Sequence, residues 1–153
     1  MPRRRPGALR APHVRLSGWG RPCRIDRLSR RTSAAVHRLE RRADIDDVWP
    51  GCVEVALHWY RQFLAQPGRY LEIPYAVCPC PSDSLEDVAE ARDMLERVLP
   101  LLPAPARQEL EDTVVRLDEE LWRRTLPDPF AGRDPWRRGA WWHYRLRGAR
   151  PFG

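Results

Sequence analysis

Apolar residues return every three or four positions over two stretches separated by prolines, and this pattern organises the chain. Leu85, Val88, Ala91, Leu95, Val98, Leu99 and Leu102 share one side of a first helix, and Ala106, Leu110, Val114, Leu117 and Leu121 share one side of a second. Asp83 or Ser84 can cap the first helix, with Asp83 and Glu86 at capping-box spacing. Pro100 and Pro103 stop it, because each lacks an N–H and restricts the residue before it. Pro105 suits the first turn of the second helix, and Leu126-Pro127 closes it. Arg107/Glu111, Glu119/Arg123 and Glu120/Arg124 lie four apart and can pair across a turn. The expectation is an antiparallel helix hairpin over 84–99 and 104–125.

Two weaker periodic stretches precede it. Ile25, Leu28, Ala35, Val36, Leu39 and Ala43 predict a helix over 26–43 with a thin apolar strip. Pro50 opens a second, running to about residue 66, in which Val53, Ala56, Leu57, Tyr60, Phe63 and Leu64 form the most hydrophobic face of the chain. Pro67-Gly68 ends it. Residues 70–77 alternate in the manner of a strand, but Pro74 restricts them to an edge strand or an extended loop. After Leu126, Trp142, Tyr144 and Leu146 alternate with His143, Arg145 and Arg147 and could pair with 71–77; alternatively, Asp134-Pro135 could start a short helix. The fold class is therefore mainly α: a small helical bundle built on the hairpin, with room for a minor two-stranded β element and irregular basic termini. Three regions follow: a flexible Arg/Pro-rich arm over 1–22, a helical domain over 23–126, and a Pro/Arg/Trp-rich segment over 127–153 packed on that domain.

Charge position changes this picture more than composition does. Of the 153 residues, 42% are hydrophobic, while 16 Pro and 9 Gly predict long irregular segments. All 27 basic residues are Arg, which together with the Ala and Pro content points to a GC-rich coding sequence. Residues 1–45 hold 13 Arg against three acids, 46–126 hold eight against 16, and 127–153 hold six against two. An acidic middle thus lies between two basic ends. Such arms contact nucleic acid, or fold onto the acidic middle of their own or another chain. No run reaches the length a membrane span needs, and the basic N-terminus lacks the apolar core of a secretory signal. The expected location is the cytoplasm.

Most candidate chemistry dissolves on inspection. Cys23, Cys52, Cys78 and Cys80 do not make two zinc knuckles. His13, His37, His58 and His143 are scattered, with no metalloprotease spacing, although Glu54 and His58 could share a helix face. Glu86, Asp87, Glu90, Asp93 and Glu96, then Asp112, Asp118, Glu119 and Glu120, read as solvated helix faces. Phosphate loops are missing, and without Lys there is no Schiff-base chemistry. No catalytic residue, cofactor or metal ligand is expected. What remains is arginine and tryptophan: Arg27, Arg30, Arg31, Arg38, Arg41 and Arg42 on the first helix, and Arg137, Arg138, Trp141, Trp142, Arg145 and Arg147 in the tail. These could bind phosphate and stacked bases. In the favoured reading, the tail clamps the body, with Trp buried and Arg paired to the body's acids.

Leu99 to Pro129, LPLLPAPARQELEDTVVRLDEELWRRTLPDP, resembles segments of uncharacterised proteins of high-GC actinobacteria. The likeness covers about a fifth of the chain, a proline turn and a helix, and implies no activity. The resulting expectation is a non-enzymatic protein-interaction or scaffolding protein that binds another protein or itself. The alternative is a nucleic-acid-binding accessory protein using the arginine-rich helix and tail.

Overall fold

The structure, a computed structural model, describes residues 23–42, 44–73, 87–133 and 139–148. Four helices carry it: α1 (Arg30–Glu40), α2 (Cys52–Leu64), α3 (Val88–Val98) and α4 (Ala104–Arg124). Short 3₁₀ turns occupy Leu99–Leu101, Ala131–Arg133 and Trp141–Tyr144. The protein is mainly helical, a small bundle around the hairpin α3–α4. The first 22 residues, Cys78 and Cys80, the caps Asp83 and Ser84, and Asp134 to Arg138 lie outside the described residues.

The core is the one the periodicity marks. Every predicted apolar position of α4 is buried, as are Val88, Ala91, Leu95, Val98, Leu99 and Leu102 of the first hairpin arm. The centre is α2, which packs most closely on α3 and also on α4, while α1 packs on α4. Its buried face is Cys52, Val53, Ala56, Leu57, Tyr60, Phe63 and Leu64.

Helix starts depart from expectation, and each departure has a local cause. The predicted 26–43 helix begins at Arg30, because Ser29 takes an extended conformation and its Oγ accepts from the Thr32 N–H at 3.1 Å. Ile25 and Leu28 remain fully buried from a turn ahead of the helix, closed by the Leu28 N–H to the Ile25 carbonyl at 3.1 Å. Their apolar spacing reports the core and not the helix. Pro50 likewise lies in the turn before α2, and Gly51 follows at φ 88°, a left-handed conformation that favours glycine. Within the described residues, α3 is capped by Asp87, whose carboxylate accepts from the Ala89 N–H at 2.9 Å.

Two helix starts are completed by acids from other helices. Glu40, the last residue of α1, is 2% exposed and accepts from the Gly51 and Val53 N–H groups at 2.9 and 3.0 Å. It supplies the side-chain acceptor that the N-cap residue, Gly51, lacks. Glu109 of α4 does the same for α1, accepting from the Ser29 N–H, the Ser29 hydroxyl at 2.7 Å and the Thr32 hydroxyl. Burial alone would raise the Glu109 carboxyl, but these hydrogen bonds outweigh it and hold it below its ordinary range.

The β element is reduced to isolated bridges, and no strand forms among the described residues. Ile73 pairs in parallel with Arg147, its N–H donating to the Leu146 carbonyl at 3.1 Å, and Pro127 pairs antiparallel with Arg145. Residues 141–144 form a 3₁₀ turn in place of the expected strand. A strand would send Trp142 and His143 to opposite faces, whereas both bond the same carboxylate.

Candidate interaction surface

The two groups of arginine and tryptophan positions have different fates. In the tail, Trp142 is buried, and its indole N–H donates to Asp93 at 2.7 Å. His143 Nε2 lies 2.7 Å from the same carboxylate. The Asp93 hydrogen bond leads in raising the His143 pKa, against the lowering effect of burial. Arg92 of α3 stacks on Trp142, 4.1 Å from the ring centroid, while its Nε reaches Asp118 at 2.9 Å. Asp118 also accepts from the buried Tyr60 hydroxyl at 2.6 Å. Burial first, then the Asp118 charge, raises the Tyr60 pKa and keeps the phenol protonated.

Arg147 meets Asp87 at 2.7 Å, with both side chains nearly buried. Arg145 differs from the expected pairing with an acid. Its guanidinium stacks 4.3 Å from the Trp122 ring and donates to the Thr125 hydroxyl at 2.8 Å and to the Trp122 and Thr125 carbonyls, which closes the end of α4. Trp141 is half-buried between Trp122 and Trp142, with ring centroids 5.2 and 5.8 Å away. Trp142, Arg145 and Arg147 are thus turned inward as the tail's attachment to α3 and α4. Arg137 and Arg138 lie outside the described residues. Asp87, Asp93 and Asp118, expected on solvated faces, are the body's half of this attachment.

The α1 arginines face the other way. Arg30, Arg31, Arg38 and Arg41 are exposed, and at 100° per residue they fall within about one quarter of the helix circumference. Opposite them, Thr32, Ser33, Ala35, Val36, Leu39 and Glu40 are buried. Among the described residues these four arginines have no ion pair. The stripe is about 16 Å long at 1.5 Å per residue. Acids bracket it: Arg27 lies 3.8 Å from Asp26 at one end, and Arg42 pairs with Asp44 at 2.9 Å at the other, where exposed Asp46 and Asp47 follow.

The remaining candidates are structural. Cys52 is buried against Glu40, its sulfur 3.6 Å from Oε1, and burial followed by that charge pushes the thiol up to about 12. A protonated thiol is a poor metal ligand and a poor nucleophile. His58 and Glu54 line a small cleft with Ile25, Asp26 and Arg61. There Arg61 Nε and Nη2 are buried with no hydrogen-bond partner among the described residues, while Nη1 stands 3.6 Å from exposed Asp26. Among the described residues, no helix is long and apolar enough to cross a membrane.

The sequence carried one overlooked signal for the inward network. Arg92 lies on the apolar side of α3, between Val88 and Leu95, and Glu40 lies beside Val36 and Leu39 on the buried side of α1. A charged residue inside an apolar stripe points to a buried partner. Comparison with known families, curated proteins and solved structures finds no match to this chain.

Proposed function

We propose that the protein is a non-enzymatic interaction module that docks through the arginine face of α1 onto an acidic patch of a partner protein. The observation behind this reading is the stripe of four exposed arginines, without ion pairs among the described residues and bracketed by acids. Arginine keeps its charge and presents a donor fork matched to carboxylates. The bracketing favours protein over nucleic acid. A phosphodiester strand continuing along α1 would run into Asp46 and Asp47 at one end and Asp26 at the other, whereas a finite acidic patch fits between them. The inward-facing carboxylates suit a binding role, because Glu40, Asp87, Asp93 and Asp118 are each committed to caps or bridges.

The reading is tested by fluorescence anisotropy of labelled polyglutamate and of a single-stranded oligonucleotide over a salt series. Saturable polyglutamate binding is expected, lost in an R31E/R38E double variant. Binding that ignores the double substitution overturns the proposal. Tighter oligonucleotide binding, with log affinity falling linearly in log salt, transfers the stripe to nucleic acid.

A further inference from the structure

A second surface runs along the outside of α4. Seven large apolar side chains are exposed among the described residues, and five of them, Leu101, Val115, Trp122, Leu126 and Phe130, lie on α4 or its immediate flanks. Val115 and Trp122 are seven residues apart within α4, so they share one side of the helix opposite the buried stripe, and Leu126 stands just beyond the helix, after the extended Thr125. The helix is amphipathic twice over, and its inner seam already fills the core.

The charges beside the outer seam say what covers it. Asp112, Arg116, Glu119 and Arg123 follow one flank at spacings of four, three and four. Their order is acid, base, acid, base, which is complementary to its own reverse. In an antiparallel pair of α4 helices related by a two-fold axis, the same flank of each helix faces its copy. Centring that pair between Leu117 and Asp118 sets Arg123 opposite Asp112 and Arg116 opposite Glu119, each twice. Among the described residues Arg116, Glu119 and Arg123 have no ion pair. A seam with this balance suits neither a polyanion nor a uniformly basic partner.

We infer that α4 is the self-association surface of this protein, pairing antiparallel with α4 of a second copy. The pairing buries Val115 and the exposed part of Trp122, with the Asp112–Arg123 and Arg116–Glu119 contacts fixing register as flanking charges do in coiled coils. This surface is separate from the α1 stripe, which packs on α4 only through its opposite face.

Sedimentation equilibrium of the full chain over a concentration series tests the inference. A monomer–dimer equilibrium is expected. Val115→Glu should weaken it about 100-fold, since it buries an unpaired charge. Asp112→Arg should weaken it roughly tenfold by setting like charges face to face, and D112R/R123D should restore it. All these positions are exposed or at the seam, so helical circular dichroism should not change. A monomer at every concentration, an equilibrium that ignores D112R, or a double variant that fails to recover would each overturn it. Polyglutamate binding by D112R reports on the α1 stripe independently.

Discussion

Arg61 holds a charge where its surroundings do not reward it. Two of its nitrogens are buried without acceptors among the described residues, and burial leads in lowering its pKa while exposed Asp26 only partly compensates. Arg61→Met should therefore raise stability by about 1 kcal/mol in urea unfolding, since it removes unmet donors and keeps the stem's packing. His143 gives a pH signature. Its folded pKa lies above its ordinary 6.5, so the folded state binds the proton more tightly. That contribution is complete below 6.5 and fades as pH rises through the folded value. Wild type should melt lower at pH 8 than at pH 6 by more than His143→Gln does. Neither residue's role could be read from the sequence. Spacing placed His143 on an alternating stretch and Arg61 on the core helix, but their partners come from segments far away in the chain.

Helices were most legible where period and prolines agree. The hairpin's buried positions and its proline turn follow from one apolar stripe each. The start of α1 was hidden because Ile25 and Leu28 continue the helical spacing from a non-helical turn. What sets that boundary is Ser29, held by Glu109 from 80 residues away. Glu109→Ala should accordingly cost about 1–2 kcal/mol, as losing a helix cap does. The loss of helical signal should be confined to α1, measured by residue-resolved NMR shifts.

The tail joins the bundle through Trp142, with Trp141, Arg145 and Arg147 beside it, where sequence showed only a basic, aromatic segment. Trp142→Ala should destabilise the protein by about 3–5 kcal/mol, the usual cost of emptying a large aromatic's site. It also strips Arg92 of its stacking partner. Thermal unfolding of this variant should begin at a lower temperature. The competing picture of the tail as a binding arm predicts little change in melting, so calorimetry separates the two.

The successive caps, α4 on α1 and α1 on α2, carry a further consequence for how the molecule opens. The first amides of a helix ordinarily exchange with solvent fastest, because nothing inside the helix holds them. Here the Gly51 and Val53 amides end on a carboxylate belonging to α1, and α1 is itself held by α4. Releasing the first turn of α2 means undocking two other helices. In hydrogen–deuterium exchange these two amides should therefore be as slow as the centre of α2, and they should share its denaturant dependence.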